Sequence, residues 1–225
     1  MFGLRHVRSS LQISRRDILA NDEKRWYRRL FKTAHKILLE RSMAEPLANL
    51  TGDVLVIGAG FEPYRDILVA AKSVHLTDID DVNEDIDQVM DAHEVTFDRE
   101  TFDAVVAIEV FEHLRQPSVA ASEVLRILRP GGYALISIPF LFRVHGDPYD
   151  YQRLTSSGLE VLFGGFSRVT IEGFGGRSHV ISDIITTAWR GLVPLRILNH
   201  MLAARVVSRK ASQDCPSGFI VKLVK

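Results

Sequence analysis

Two glycines and an aspartate stand where two apolar stretches of the sequence end, and together they could bind a nucleoside. Gly58 and Gly60 close the stretch that begins at Val54, and glycines there let the backbone approach a ligand closely. Asp78 ends the next stretch, where its carboxylate could accept hydrogen bonds from two neighbouring ribose hydroxyl groups. The spacing therefore favours a nucleoside site, with an ordinary tight turn at the glycines as the alternative.

Two further acids are expected at the same place. Asp91 follows a short polar interval after Asp78, and Glu109 ends a third apolar stretch. Open α/β sheets bind ligands at the carboxyl ends of their strands, so we expect these three acids to line one site. The many acids of residues 80–87 read mostly as a solvated face, which would repel phosphates and favour a positively charged ligand.

A histidine could supply a proton acceptor beside that ligand. His145 lies in the segment 139–155, and histidine is the side chain that titrates near neutrality. Asp147 or Asp150 could orient its imidazole. The alternative is that His145 belongs to a simple turn and that Arg153 pairs with Asp150.

Three other reactive side chains are expected to have smaller parts. Glu112 and His113 are interpreted as bracing the loop after the third apolar stretch, with a base role for His113 as the alternative. Cys215 is the single cysteine of the chain, so no internal disulfide can form, and we expect an ordinary thiol.

The elements that must position these residues alternate along the chain, which predicts βαβ units and a parallel sheet. Strands are predicted over residues 54–60, 73–77, 103–108, 133–138, 167–172 and 218–224. Helices are predicted over residues 17–43, after Pro63, over 118–128 and within 180–207. Pro46 is interpreted as a break after the first helix, and residues 130–132 as a turn.

Five motifs stand in one order, and in that order they resemble the class I S-adenosylmethionine-dependent methyltransferases, in the branch called methyltransferase type 11. The resemblance covers roughly residues 50–175. The motifs are Gly58-x-Gly60, Asp78, Asp91-Ala92 with Phe102-Asp103, Glu109-x-x-Glu112-His113-Leu114, and Leu128-Arg129-Pro130-Gly131-Gly132. Glu62 replaces the family's usual third glycine, and the interval from Asp78 to Asp91 is short enough to reduce the usual helix to a turn.

The resemblance implies a role for each cofactor-binding residue. The loop Gly58, Ala59 and Gly60 would line the methionine end of S-adenosylmethionine. Asp78 would take the ribose hydroxyls, with Ile79 beside the adenine. Asp91 would accept a hydrogen bond from the adenine amino group, Ala92 would offer its backbone, and Glu109 would lie near the sulfonium and the substrate mouth.

The resemblance also implies the fold: α/β, with a Rossmann-like, doubly wound, mixed seven-stranded sheet, helices on both faces and an antiparallel last strand at 218–224. Residues 1–45 are expected to form an N-terminal helical extension. Residues 46–225 are expected to form the methyltransferase domain, with a helical insertion at about 178–210.

The implied reaction moves a methyl group to a small-molecule or sugar- or lipid-linked acceptor, with oxygen expected as nucleophile ahead of nitrogen or carbon. His145 is the expected base. No metal is expected, because the sulfonium is already reactive and the chain needs only to align the reactants, exclude water and remove one proton. An NAD-type dehydrogenase and a non-catalytic cofactor-binding module are the alternatives.

Charge and hydropathy limit the partners. Residues 46–186 hold ten basic and twenty-two acidic side chains, against eleven and five in residues 1–45 and seven and one in residues 187–225. An acidic body argues against a broad nucleic-acid surface. A cytoplasmic protein is expected, since neither a signal peptide nor an uninterrupted apolar span is visible.

The stretch 180–207 combines helically spaced apolar residues with basic neighbours, among them Arg205, Arg209 and Lys210. This pattern favours a homodimer face or a cover over the active site. A peripheral contact with a membrane is the alternative.

Overall fold

The computed structural model describes residues 31–81, 83–145, 149–203 and 214–225. Seven strands form one sheet in the order β3-β2-β1-β4-β5-β7-β6, in which β1 to β5 are parallel and β7 runs antiparallel to both β5 and β6. The strands are β1 Gly52–Ile57, β2 Ala71–Asp78, β3 Gln88–Val89, β4 Phe102–Ile108, β5 Leu128–Pro139, β6 Arg168–Phe174 and β7 Gly218–Val224. The predicted mixed sheet with an antiparallel last strand is confirmed.

Helices cover both faces of this sheet, as predicted. They are α1 Ala34–Ala48, α2 Tyr64–Ile67, α3 Pro117–Ile127, α4 Ser156–Leu162, α5 Arg177–Ala188 and α6 Ile197–Ala203, with 3-10 turns at Phe111–His113 and Arg190–Arg196. The central strands read as unbroken apolar runs because they are buried on both sides, which is the rule for parallel sheets. Val105 and Val106, neighbours on β4, are each fully buried and belong to different cores.

The two cores are built by different helices. On one face α3 and α4 pack through Val124, Ile127 and Leu159. On the other face α1 packs through Leu39 and Met43, and α5 and α6 in turn contact α1. Residues 1–30 of the predicted N-terminal extension, with the first part of its predicted helix, lie outside the described residues. The part that is described, α1, packs in the second core.

Two predicted boundaries at this second face are corrected. The helix does not break at Pro46 but continues to Ala48, since Leu47 is buried in the second core and Pro46 lies in the last turn, where its missing N–H removes a single donor. The helix after Pro63 is only the four-residue α2, which ends at Ile67 before the chain turns into β2.

The predicted turn at residues 130–132 is wrong, because the structure places these residues inside β5. Phe102 pairs with Leu128 and Ala104 with Tyr133, so the residues between bulge out of the ladder opposite Asp103. Gly131 takes a φ of 77° in this bulge, a conformation that glycine adopts without strain.

The predicted helical stretch at 180–207 consists of separate pieces. α5 ends at Ala188, a 3-10 turn carries Pro194, and α6 follows directly. Ile184, Trp189 and Met201 are exposed there. Arg205, Arg209 and Lys210 lie outside the described residues, so the homodimer face and the membrane contact both stay predictions. No helix among the described residues is long and apolar enough to cross a membrane.

Candidate cofactor and acceptor site

The glycine loop after β1 is tied to the acid that ends β2. Gly58 has a φ of 69°, and a side chain there would place its Cβ 2.5 Å from a methyl group of Val110. The N–H of Gly60 donates to Oδ2 of Asp78 at 2.8 Å, and the side-chain amide of Asn83 donates to the Gly60 carbonyl. The loop is therefore held open beside Asp78, with space next to Gly60.

Asp91 lies just past β3 and is oriented by a histidine. Its Oδ1 accepts from the backbone N–H of His93 at 2.8 Å and from Nδ1 of the same residue at 2.6 Å. Nε2 of His93 accepts from the N–H of Gln116 at 3.2 Å, which fixes the ring against the start of α3. Partial burial would raise the pKa of Asp91, but the two hydrogen bonds from His93 outweigh it and hold that pKa below its usual value. Asp91 is thus a fixed carboxylate at the edge of the sheet.

The predicted neighbours of these acids differ in exposure. Ile79, directly after Asp78, is 52% exposed, whereas Ala92 and Ala59 are buried. A half-exposed isoleucine beside the acid can contact a flat apolar face of a ligand. A buried alanine can offer a ligand only its backbone. The stretch between β2 and β3 holds no helix among its described residues, in agreement with the expected turn.

Glu109 follows β4 in the left-handed region, with a φ of 56°. Its Oε1 accepts from the Ser137 hydroxyl at 3.1 Å, and its Oε2 lies 2.9 Å from Nε2 of His35. Burial alone would raise the pKa of Glu109, but the contacts with His35 and Ser137 hold it below the usual value. A non-glycine residue held in this strained conformation by side-chain contacts is typical of a functional site.

His35, which reaches Glu109 from α1, is a site residue that sequence reasoning missed. It is buried between Phe142 and Phe174, with ring centroids 4.6 Å and 5.0 Å away, and its Nδ1 lies 2.8 Å from the Ser217 hydroxyl. A single histidine in an apolar helical stretch gives no sequence signal for this contact, because the partners are distant in the chain.

The same helix start is held by a buried aspartate of α5. Oδ1 of Asp183 accepts from the N–H of Ala34 at 2.7 Å, and Oδ2 accepts from the N–H of His35 at 2.8 Å. Two donors at a helix start that would otherwise be unpaired are thereby satisfied. Asp183 therefore fixes the position from which His35 meets Glu109.

His145 lies in the loop after β5, with Asp150 beside it. The backbone N–H of His145 donates to Oδ2 of Asp150 at 2.9 Å, and Nδ1 lies 3.4 Å from the same oxygen. Arg153 grips both oxygens of Asp150, as the alternative interpretation predicted. Burial and the neighbouring His113 lower the pKa of His145, so the imidazole is neutral at pH 7. Asp147, the other predicted orienting residue, lies outside the described residues.

Glu112 was expected only to brace a loop, but its environment is unusual. Its side chain is fully buried, and neither carboxyl oxygen has a hydrogen-bond partner among the described residues. Burial and the nearby charge of Glu109 raise the pKa of Glu112 to about 9. Its Oε1 lies 3.6 Å from Nε2 of His113 and 3.9 Å from Nε2 of His145. Two histidines and one buried acid thus meet beside Glu109.

The predicted residues therefore collect at one edge of the sheet. Asp78 is the last residue of β2, and the other four follow the ends of β1, β3, β4 and β5: Gly58, Asp91, Glu109 and His145. These five strands are parallel. The carboxyl edge of such a sheet is where ligands bind.

A groove of about 610 Å³ lies at the opposite edge, and its lining includes Glu45, Asp103 and Arg129. None of its lining residues belongs to the predicted site. The Arg129 guanidinium is already paired with Asp103 at 2.6 Å and with Asp53 at 3.2 Å, so this groove offers no free charge from that side chain.

Comparison with known proteins agrees with this arrangement. The model of the methyltransferase domain family, type 11, matches residues 55–136, which run from β1 to β5 and include every proposed cofactor residue. No curated protein matches the chain.

Several solved structures share the fold. A SAM-dependent methyltransferase from Archaeoglobus fulgidus aligns at 16% identity and a TM-score of 0.57, over 89% of this chain and 98% of that one. Phosphoethanolamine N-methyltransferase 2 from Haemonchus contortus, in complex with S-adenosyl-L-methionine, aligns at 16% identity and 0.56, over 100% of this chain and 60% of that one. The [4+2]-cyclase SpnF aligns at 16% identity and 0.53, over 83% and 80%. At these identities the likeness shows the fold alone.

The match over residues 55–136 identifies this part of the chain as a methyltransferase domain, and the sheet order agrees with it. Together they support an enzyme that uses S-adenosylmethionine as cofactor. The matched residues are similar to the methyltransferase type 11 branch, which supports the predicted family. The match supports neither an NAD-type dehydrogenase nor a non-catalytic module.

Proposed function

We propose that this enzyme moves the methyl group of S-adenosylmethionine to a hydroxyl oxygen of a small-molecule or sugar- or lipid-linked acceptor. The observation that carries the choice of oxygen is the neutral imidazole of His145. Its Nδ1 bonds to the Arg143 carbonyl at 3.3 Å, which leaves Nε2 with a free lone pair. A hydroxyl must lose a proton as it is methylated, and a neutral imidazole nitrogen can take that proton.

The cofactor residues have proposed roles that follow their places along the edge. The backbone of Gly58, Ala59 and Gly60 would contact the methionine end, and Asp78, held by the Gly60 N–H, would accept from the ribose hydroxyls. Ile79 would cover the adenine, since it is half exposed directly after Asp78.

The remaining groups would surround the adenine amino group and the sulfonium. Asp91 is a carboxylate at pH 7, so it can accept from the amino group, and the Ala92 backbone would lie beside it. Glu109 would place a negative charge near the positive sulfonium, and its contact with His35 holds it in that position.

When bound, S-adenosylmethionine supplies an electrophilic methyl group on a positively charged sulfur. The chain's residues would place the acceptor oxygen in line with that methyl group and exclude water. As the oxygen–carbon bond forms and the carbon–sulfur bond breaks, the hydroxyl proton would pass to Nε2 of His145. The products would be the methyl ether, neutral S-adenosylhomocysteine and a protonated imidazole that returns its proton to solvent.

A nitrogen acceptor is the competing candidate, because a structural neighbour is titled an N-methyltransferase of phosphoethanolamine. An amine could enter such a site as well. The acidic stretch between Asp78 and Asp91 would attract a cationic acceptor as well as the sulfonium.

An isotope screen tests the proposal. The purified chain is incubated with S-adenosylmethionine carrying a deuterated methyl group and with metabolite and glycan extracts, and labelled products are found by mass spectrometry. We expect the label in a methyl ether, from which acid treatment releases no labelled methylamine. Label found only on nitrogen would contradict the choice of oxygen, and no label in any extract would contradict the proposed acceptor classes.

A further inference from the structure

Glu112, His113 and His145 place three metal-ligating atoms close together. One carboxyl oxygen and one nitrogen from each imidazole all lie within 4.8 Å of one another. Tetrahedral ligands about 2.0–2.1 Å from a metal ion lie roughly 3.3–3.4 Å apart. The separations of 3.6 Å and 3.9 Å between Glu112 Oε1 and the two Nε2 atoms need to shorten by only a few tenths of an ångström.

The outer partners of the two histidines orient both rings toward one point. Nδ1 of His113 donates to the Tyr149 carbonyl at 2.5 Å, and Nδ1 of His145 donates to the Arg143 carbonyl at 3.3 Å. Each ring therefore donates from Nδ1 and presents its Nε2 to Glu112. Metal-binding histidines characteristically donate their second nitrogen to a carbonyl or carboxylate in this way.

The third ligand is a buried carboxyl group whose hydrogen-bonding capacity is unused within the part of the chain that the structure describes. Glu112 is fully buried, and both of its oxygens are without a hydrogen bond among the described residues. The nearby cation Arg153 is already engaged with Asp150. A carboxyl group buried without hydrogen-bond partners destabilises a fold, and a bound cation would offset that cost.

We propose that Glu112, His113 and His145 form a binding site for one divalent transition-metal ion per chain. Two imidazoles and one carboxylate suit Zn²⁺ or Fe²⁺, whereas Mg²⁺ prefers a shell made of oxygen atoms. This site differs from the expectation of no metal, which rested on the reactivity of the sulfonium. The residue pattern predicted only that Glu112 and His113 brace a loop, since the burial of Glu112 beside two histidines arises from the fold.

His145 would then have a second role as a metal ligand, which it cannot combine with its role as proton acceptor in the same molecule. Nε2 of His145 accepts a proton in the metal-free enzyme and binds the ion in the loaded one. The ion would then face the acceptor mouth beside Glu109, where an open coordination position could hold an acceptor oxygen. This last step rests on the proposed function, but the metal site itself does not.

Calorimetric titration of the full, metal-free chain with Zn²⁺ tests the site directly. We expect one ion per chain. Glu112→Gln and His145→Ala should each weaken Zn²⁺ binding by at least about 100-fold, which is more than the loss of a ligand's outer hydrogen-bond partner causes. His75→Asn is the matched control, since His75 also lies near a carboxylate, at 3.9 Å from Asp87, but outside the cluster. It should leave the affinity unchanged.

Thermal unfolding keeps the test informative if a variant folds poorly. Zn²⁺ should raise the unfolding midpoint of the parent and of His75→Asn, because it binds the folded state. Glu112→Gln should unfold cooperatively in EDTA and show no rise with Zn²⁺. Zn²⁺ binding as tight in Glu112→Gln as in the parent would overturn the site, as would no Zn²⁺ binding by the parent. Tighter binding of Mg²⁺ than of Zn²⁺ would overturn the class of metal. These measurements need neither cofactor nor acceptor, so they stand apart from any failure of the proposed methyl transfer.

Discussion

The two halves of the candidate site satisfy their polar groups in opposite ways. In the cofactor half, Asp78 and Asp91 are at least partly exposed, and each is held by nearby groups, Gly60 and His93. In the acceptor half, Glu109 depends on a histidine from α1, and Glu112 is fully buried with no hydrogen-bond partner in the described ranges of the chain. The difference indicates that the cofactor half is formed in advance, whereas the acceptor half is completed by something that binds there.

The largest effect is expected in the acceptor half, on turnover alone. His145→Ala should lower turnover by ~10²–10⁴-fold, because it removes the proposed proton acceptor. Steady-state kinetics with the acceptor found in the isotope screen measures this, and calorimetry should show nearly unchanged affinity for S-adenosylmethionine. With His75→Asn as control, turnover within a few-fold of the parent would contradict the role of His145.

In the cofactor half, two glycines of one loop should differ sharply when changed to alanine. Gly58→Ala meets a left-handed φ and the Val110 methyl at 2.5 Å, so it should lower the free energy of unfolding by about 2–5 kcal/mol. Gly60→Ala has a φ of 56° but open space, so only the backbone cost of about 1–2 kcal/mol applies. Urea unfolding measures both. Equal losses would show that close packing against Val110 does not shape the loop.

The link from α1 to the acceptor half should appear as a stability effect. His35→Phe keeps an aromatic ring between Phe142 and Phe174 but removes the contact of His35 with Oε2 of Glu109, which should lower the free energy of unfolding by about 1–3 kcal/mol.

Lys36→Ala is the matched control for that change. Lys36, next along α1, pairs with Glu62 at the surface, and such pairs contribute about 0–1 kcal/mol. A loss for His35→Phe no larger than that for Lys36→Ala would mean that the contact with Glu109 does not stabilise the fold.

The smallest effect is expected at the adenine end. Asp91→Asn puts a donor where the amino group needs an acceptor, and we expect affinity for S-adenosylmethionine to fall by about 1 kcal/mol, roughly fivefold. Turnover at saturating cofactor should not change. Glu94→Gln, three residues on and exposed, is the control. An unchanged affinity in Asp91→Asn would remove Asp91 from the site.

The cofactor half could be predicted from the sequence, because each of its residues ends or follows a strand that local apolar patterning reveals. Gly58, Asp78 and Asp91 end or follow β1, β2 and β3, and the strand order alone brings them to one edge of the sheet. The acceptor half could not be predicted in the same way. The contact of His35 with Glu109, and the burial of Glu112, depend on packing between elements far apart in the chain, and residue spacing carries no record of that packing.

The central claim, that this edge of the sheet holds S-adenosylmethionine, rests most directly on Asp78. Calorimetry with S-adenosylmethionine and S-adenosylhomocysteine should show that Asp78→Ala weakens both by about 1.5–3 kcal/mol, or roughly 10- to 150-fold, because a charge-assisted contact is lost. Asp81→Ala, an exposed acid of the same stretch, should bind both as the parent does. Unchanged affinity in Asp78→Ala, or tighter binding of NADH than of S-adenosylmethionine by the parent, would contradict the assigned site.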